Sequence, residues 1–238
     1  MSSHHLSAEA FTKELLSYQS SIEKKKYERY FPGDDSFFGV RMGQVFALAK
    51  QYIAMEIPEI EKLLESDTHE VRVGAVSIMD FQARDKKTSD ERKKELFDLY
   101  LTHHDRINTW DLVDRSAIYV IGGYLNDKPR DVLYSLAKSR KMYEKRTAII
   151  ATAYFMKHKD THDTFKIAEI LVADTDPLVQ KAVGWMLRVA GDVDRPGFLH
   201  FLHAYAATMP RTMLRYAIEK LDKEQRVRYL AMSKNNTT

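Results

Sequence analysis

Three features of this sequence predict an all-α protein. Apolar residues recur at helical spacing throughout the 238 residues, whereas no stretch alternates apolar and polar residues over the length of a strand. Glycine and proline are scarce, at 9 and 6 residues, and stand mostly between the periodic stretches. Alanine followed by valine or isoleucine recurs at intervals of 31–42 residues. Because helix pairs of that length stack into solenoids, the predicted fold class is an α-solenoid of HEAT-like helical repeats with a concave groove.

The periodic stretches place the helices in order along the chain. They are predicted near residues 6–20, 41–55, 57–65, 69–84, 88–102, 109–124, 130–138, 141–157, 162–173, 177–190, 195–206, 210–219 and 223–231. N-terminal helices would occupy about 6–65 and the repeats about 66–231, followed by a short flexible C-terminal tail. A chain of this length can bury one large core or two smaller ones, and we expect a single domain over residues 1–238.

The alanine positions give the repeats a register. They are Ala75, Ala117, Ala148, Ala182 and Ala217, each expected in the second helix of its pair. Two residues before each alanine stand Val73, Arg115, Arg146, Gln180 and Arg215. Three arginines among these five positions predict a basic stripe along one face. The alternative is that arginine is simply a good helix former at exposed positions.

Composition and motifs narrow the kinds of site. Zero cysteines exclude disulfides, thiolate nucleophiles and cysteine zinc sites. No Walker loop, dinucleotide fingerprint, HExxH or GxSxG pattern occurs, so we expect neither a metal nor another cofactor. The sequence lacks an apolar run of membrane-spanning length and the layout of a signal peptide, so we expect no membrane partner and a cytoplasmic location. A net charge of +3 permits a phosphate-binding surface without requiring one.

The most informative stretch is the helix predicted from residue 109. It holds Trp110, one of two tryptophans, and a carboxylate, Asp114, four residues later. That spacing places both side chains on one helix face. Such a pair suits a ligand with an apolar face and a developing positive charge. The structural alternatives are a tryptophan in the core and an ion pair from Asp114 to Arg115 of a neighbouring repeat or to Lys145.

Other polar residues have simpler interpretations. Asn108 suits the N-cap of the same helix, and Asp111 three residues later completes a capping-box-like pattern. The run of lysines at residues 24–26 is interpreted as a solvent-exposed face, with a phosphate contact as the alternative. Trp185 is a candidate core residue, although Gly184 and Arg188 show that its helix is not apolar all round.

Several motifs together resemble the AlkD family of DNA alkylation repair glycosylases. In chain order they are Arg-Tyr at 29–30, Phe-Phe-Gly-Val at 37–40, Trp-Asp-Leu-Val-Asp at 110–114, Arg-Thr-Ala-Ile at 146–149 and Gln-Lys-Ala-Val-Gly-Trp-Met-Leu-Arg at 180–188. The resemblance spans roughly residues 8–220. It departs from the family where Thr109 replaces the second tryptophan of some members. It departs again in the segment Val-Arg-Met-Gly at 40–43, which differs from the corresponding segment of the family's archetype. Arg41 is expected to replace one of the phosphate-binding residues of that segment.

The resemblance implies a HEAT-repeat enzyme that hydrolyses the N-glycosidic bond of N3- or N7-alkylated purines, such as 7-methylguanine and 3-methyladenine, in base excision repair. It implies a monofunctional enzyme that works without deep base flipping. The partner would be double-stranded DNA containing alkylated purines, bound by a monomer. The alternatives are a non-catalytic HEAT-repeat protein that binds branched or damaged DNA, and a protein-interaction scaffold.

The same resemblance assigns roles to particular side chains. The expected catalytic residues are Asp114, Trp110 and Trp185, with the carboxylate stabilising an oxocarbenium-like transition state and the indoles lying against the damaged nucleotide. The expected DNA-binding residues are Arg146, Arg188, Tyr30, Arg41 and Lys181. The capping interpretation of Asp111 leaves Asp114 as the carboxylate on which the chemistry depends.

Overall fold

The helices account for all the regular secondary structure of the described residues. The computed structural model describes residues 6–31 and 35–232, and within them the only extended pairing is an isolated bridge between Ser36 and Thr68. The all-α α-solenoid prediction is thus confirmed. The described chain divides into two compact units between Tyr124 and Leu125. The predicted C-terminal tail falls almost wholly on residues 233–238, outside the described residues. No helix in the described ranges is long and apolar enough to cross a membrane.

The described residues of the first unit form seven α-helices. They are α1 (Ala8–Leu16), α2 (Ser21–Tyr30), α3 (Met42–Gln51), α4 (Ile57–Leu64), α5 (His69–Arg84), α6 (Asp90–Thr102) and α7 (Trp110–Ser116). A 3-10 turn, His104–Arg106, precedes α7, and a π-helical segment, Ala117–Gly123, continues it. The helix predicted at 69–84 is confirmed at both ends.

In the second unit, residues 125–232 are described and form eight α-helices. They are α8 (Asp131–Ala137), α9 (Met142–Ala151), α10 (Ala153–Met156), α11 (His162–Leu171), α12 (Pro177–Val193), α13 (Arg195–Tyr205), α14 (Arg211–Ala217) and α15 (Lys223–Ala231). The single helix predicted at 141–157 is therefore two helices. The single-domain prediction for residues 1–238 stays a prediction.

Helices that are not consecutive along the chain pack into a row within each unit. In the first unit α3 packs on α5 and α5 on α7, while in the second α9 packs on α12 and α12 on α14. The five register alanines lie in these rows or, for Ala117, directly after α7, and all five are buried. Small side chains at these positions allow the close helix contacts that the repeat pattern predicted.

The α12–α14 contact shows how close the helices come. A Cβ at Gly184 would lie 2.4 Å from the Met213 carbonyl oxygen and 2.6 Å from the Tyr216 Cβ. Only glycine fits there, next to Trp185. Asp176 fixes where α12 begins, because its side chain accepts hydrogen bonds from the backbone N–H groups of Leu178 and Val179.

The helix α2 was missed by the sequence prediction. Six of its ten residues are charged and none is buried, so it shows no apolar periodicity. Its formation depends instead on the Ser20 cap and on ion pairs one turn apart, such as Lys26–Glu23. Without a buried face, its position depends on specific contacts with the segment at residues 38–40.

Candidate active site

A cavity of about 620 Å³ lies within the first unit. Helix α2 and the residue after it contribute Lys26, Tyr27, Tyr30 and Phe31 to its wall. The row helices contribute Met42, Phe46, Val73, Trp110, Asp111, Asp114 and Arg115. The wall is thus largely aromatic and apolar, with two carboxylates and two cations, and its volume is in the range of small-ligand sites.

Helix α7 presents Trp110 and Asp114 together to this cavity. Both line it and both are partly exposed, as their four-residue spacing predicted. The Trp110 ring stacks near Phe31, with centroids 6.2 Å apart, and meets the edge of Tyr30 at 6.3 Å. Tyr30 is 65% exposed. The tryptophan is therefore a wall of the cavity rather than part of the core.

The second carboxylate of α7, Asp111, is held by two neighbours. Its Oδ1 accepts a hydrogen bond from the Thr109 hydroxyl at 2.6 Å, and its Oδ2 lies 2.9 Å from Nε2 of His69. The predicted capping box is wrong, because Thr109 is the N-cap and Asn108 instead accepts a hydrogen bond from Arg72. Burial acts to raise the pKa of Asp111, but the hydrogen bond and the charge of His69, together with the hydrogen bond from Thr109, lower that pKa.

His69 is fully buried between two carboxylates. Its Nδ1 lies 3.3 Å from Oδ2 of Asp35, while its Nε2 meets Asp111. Burial opposes the charged form, but the hydrogen bonds to Asp111 and Asp35 raise the pKa of His69 to about 9. Burial likewise acts to raise the pKa of Asp35, but the hydrogen bonds from His69 and Arg72 lower it to about 2. At neutral pH the network therefore holds a buried imidazolium and ionised carboxylates.

Glu70, the next residue, fixes the segment that follows α2. Its buried carboxylate accepts hydrogen bonds from the backbone N–H groups of Phe38, Gly39 and Val40, at 2.7–3.2 Å. Gly39 has φ +81°, and a Cβ there would lie 2.1 Å from the Ser20 carbonyl oxygen. The hydroxyl of Tyr27 also donates to the Val40 carbonyl oxygen at 3.1 Å. These contacts dock α2, and with it Tyr30, against the rest of the unit.

Arg115 lines the cavity next to Asp114 but is anchored elsewhere. Its Nη1 lies 3.3 Å from the buried carboxylate of Asp80, and its Nε donates to the Ser77 hydroxyl at 3.0 Å. The guanidinium also stands over the Phe46 and Phe81 rings, 4.7 Å from each centroid. Arg115 is therefore anchored to Asp80 and Ser77 on α5.

The other cation considered as a partner of Asp114 also holds another carboxylate. Lys145 lies 2.6 Å from Asp174 in the second unit. The two cations suggested from the sequence thus form ion pairs with Asp80 and Asp174.

Four further candidate residues belong to the second unit. Lys181, Trp185 and Arg188 are partly exposed on α12, and Arg188 forms an ion pair with Glu219. Arg146 on the neighbouring α9 is only 5% exposed, and its Nη1 donates to the Leu178 carbonyl oxygen at 2.5 Å. The arginines of the expected stripe therefore differ, since Arg215 is exposed whereas Arg146 is mostly buried.

The remaining candidate, Arg41, stands at the start of α3 in the first unit. Its side chain is 75% exposed and lies 3.7 Å from Glu23. It precedes Met42, which lines the cavity. The structure thus brings Tyr30, Trp110 and Asp114 to one cavity and leaves Arg41 beside it.

The family of this chain is established by a family model that matches most of its sequence. The family model for the DNA alkylation repair enzyme matches residues 11–221. The chain belongs to the DNA alkylation repair enzyme family. The match includes every helix from α2 to α14, and with them all the residues of the cavity.

A solved structure shares the fold of this family member. A predicted DNA alkylation repair enzyme from Enterococcus faecalis is 16% identical, with a TM-score of 0.68, over 86% of this chain and 97% of that one. At this level of identity the likeness supports the α-solenoid fold alone. No curated protein matches the chain.

Several residues of this DNA alkylation repair family member were not singled out from the sequence. They are His69 and Glu70 at the start of α5, Asp35 and Arg72 beside them, and the aromatic residues Tyr27, Phe31 and Phe46. The signal available was the placement of polar His69, Glu70 and Arg72 within a helix that is otherwise buried. Lys26, interpreted as solvent-exposed, is exposed but lines the cavity.

Proposed function

We propose that this DNA alkylation repair enzyme is a monofunctional glycosylase that hydrolyses the N-glycosidic bond of N3- and N7-alkylated purines in double-stranded DNA. The observation that carries the proposal is the pairing of Asp114 with Trp110 in an aromatic cavity on α7. Family membership supports alkylated DNA as the substrate.

The chemistry of the lesion suits a carboxylate in such a place. Alkylation at N3 or N7 puts a positive charge on the base, so the C1′–N bond breaks with its electron pair going to the base. Positive charge then develops on the deoxyribose, and a nearby carboxylate stabilises it. Water adds at C1′ and loses its proton, which leaves a free base and an abasic sugar. A single electrostatic group of this kind contributes roughly 3–4 kcal/mol.

Of the two carboxylates in the cavity, we assign this role to Asp114. Both oxygens of Asp111 already accept hydrogen bonds, one from Thr109 and one from a charged His69. A carboxylate whose charge is balanced by an adjacent imidazolium stabilises a developing cation poorly. Asp111 therefore supports the helix, while Asp114 faces the reaction one turn further on.

The aromatic residues suit a cationic nucleotide. The faces of tryptophan and tyrosine rings attract positive charge, by about 0.5–2 kcal/mol per contact. Trp110 and Tyr30 present such rings at the cavity, and we assign them contacts to the sugar and the base edge of the lesion. We propose that the lesion is held against this wall without deep base flipping.

Binding of the DNA backbone requires cations that contact phosphates and a second aromatic side chain for stacking. We assign phosphate contacts to Arg41, Lys181, Arg188 and Arg146, and a stacking contact along the backbone to Trp185. Arg41 is the most exposed of these four cations and Arg146 the most buried. Exposed cations adjust to a phosphate at low cost, whereas Arg146 is tied to Leu178 and also supports the α9–α12 contact.

Base release from methylated duplex DNA tests the proposal. We expect the wild-type protein to liberate 7-methylguanine or 3-methyladenine well above the enzyme-free rate and to leave the strand uncut. DNA binding that weakens steeply with salt, without base release, would favour the non-catalytic DNA-binding alternative. Absence of DNA binding altogether would favour a protein-interaction scaffold.

A further inference from the structure

The start of α7 is held by one side chain of another helix. His69, on α5, bridges Asp111 on α7 and Asp35 in the segment after α2. Rings of Phe31 and Phe37 cover the imidazole, with centroids 4.6 and 5.4 Å away. The imidazole therefore joins the elements that form two walls of the cavity.

We propose that His69 is a positioning residue: by bridging Asp35 and Asp111 it holds the first turn of α7, and with it Trp110 and Asp114, in register with the wall formed by α2. The inference rests on the glycosylase function proposed above. It adds to that function a residue outside the cavity lining on which the rate depends.

The need for such a tie follows from the helix itself. Helix α7 has seven residues, its N-cap Thr109 makes no side-chain hydrogen bond to the helix backbone, and a π-helical segment follows directly. Short helices are marginal because nucleation is costly. The Asp111–His69 contact is therefore a principal restraint on the first turn. Trp110 is in that turn and Asp114 in the next, so a loosened α7 displaces both. A displacement of about 1 Å in a reacting group costs on the order of 100-fold in rate.

The charge of the imidazole decides whether the bridge holds. The charged groups facing His69 are Asp111 from α7, Asp35 from the segment after α2, and Arg72 from its own helix. A protonated ring donates to both carboxylates, whereas a neutral ring has a single N–H. Deprotonation thus leaves one carboxylate facing a nitrogen lone pair. Since the pKa of His69 is raised to about 9, the bridge is intact at neutral pH and opens in mildly alkaline solution.

Single-turnover base release from pH 6.5 to 9.5, corrected at each pH for the enzyme-free rate, tests the inference. We expect the wild-type rate constant at saturating enzyme to fall roughly fourfold by pH 9.5, where about three quarters of His69 is deprotonated. His69→Gln keeps an uncharged amide donor near Asp111, so its rate should vary little over this range. His69→Asn keeps a donor near Asp35 only and should lower the rate constant roughly 10–100-fold, with the half-saturating concentration changed less than threefold.

Gln82→Ala is the matched control for lost stability. Gln82 is buried on the same helix and donates to the Ile53 and Met55 carbonyl oxygens, away from α7. This variant should lose stability but keep the wild-type rate constant and pH profile. If His69→Asn releases base at the wild-type rate, or if the wild-type and His69→Gln profiles coincide, the inference is overturned.

Nuclear magnetic resonance gives a readout independent of activity. The indole N–H signal of Trp110 should shift with the same midpoint as the His69 ring and stay fixed in His69→Gln. If the Trp110 signal follows the titration of His69 but neither the wild type nor any variant releases base, the glycosylase function is overturned while the bridge is supported. Base release by the wild type without the coupling would overturn the bridge alone.

Discussion

His69 and Glu70 are neighbours at the start of α5, and their side chains hold different parts of the cavity wall. His69 holds α7 through Asp111, while Glu70 holds the segment at Phe38–Val40 and through it α2. Buried charged groups are costly unless hydrogen bonds satisfy them, and both are satisfied here. Much of the site's geometry is therefore determined by two side chains, of which neither is a proposed catalytic residue.

The stability of the protein should depend on pH through His69. Its pKa is raised from 6.5 to about 9, so its contribution is fully present below pH 6.5 and is lost as the pH rises through 9. We expect the free energy of unfolding to fall by up to about 3 kcal/mol over that interval. Urea titrations of wild type and His69→Gln measure this. An equal pH dependence in the two proteins would rule out His69 as the cause.

Glu70→Gln tests the anchor of the segment after α2. A glutamine keeps the shape but turns an NH2 group toward a backbone N–H and removes the charge. We expect a loss of about 2–3 kcal/mol in the free energy of unfolding. Glu28→Gln is the control, because Glu28 is about half exposed and pairs with Lys24 only at 4.0 Å. Its cost should stay below about 0.5 kcal/mol, and equal losses in both variants would contradict the anchoring role.

Among the helices, α2 and α7 show what sequence patterns predict well and what they do not. The α7 pair was found because Trp110 and Asp114 have helical spacing, and the structure confirms that both line one cavity. Helix α2 was missed because its ten residues include no buried one. Its position comes from long-range contacts such as Glu70 with Gly39, which have no periodic signature. The bridge by His69 over 34 and 42 residues was invisible for the same reason.

Two glycine substitutions test how α2 is docked. Gly39→Ala would place a Cβ 2.1 Å from the Ser20 carbonyl oxygen at a residue with φ +81°. We expect a loss of at least about 1–2 kcal/mol and faster tryptic cleavage within the lysine run of α2. Gly43→Ala in α3 meets no atom within 4 Å and should stabilise by about 0.5–1 kcal/mol. Similar cleavage rates in wild type and Gly39→Ala would refute this docking.

For the whole molecule, the repeat register was the most reliable guide. The alanine pattern predicted which helices form the packed rows, and all five alanines are buried. The pattern could not predict the partners or the exposure of the arginines two residues before the alanines, because these depend on the tertiary structure. Arg115 holds Asp80 and Arg146 holds the Leu178 carbonyl oxygen. Arginines at equivalent positions of different repeats therefore lie in different environments.

Salt dependence of DNA binding tests the proposed phosphate contacts across the protein. Each lost contact lowers the slope of log K against log salt by about 0.9. We expect this change for Arg41→Gln and for Lys181→Gln, with unchanged stability. Lys50→Gln, at the other end of α3 from Arg41, should keep the wild-type slope. A slope equal to that of the wild type in the first two variants would remove those residues from the DNA interface.

Asp114 is the proposed catalytic carboxylate. Single-turnover release of 7-methylguanine from methylated duplex DNA by Asp114→Asn, with DNA affinity measured on the same preparation, tests this role most directly. Asp105→Asn, an exposed carboxylate of the same unit, is the control. We predict that Asp114→Asn loses at least about 100-fold in rate while binding DNA about as tightly as the wild type, and that Asp105→Asn keeps the wild-type rate. Release by Asp114→Asn at the wild-type rate would show that Asp114 is not the catalytic carboxylate.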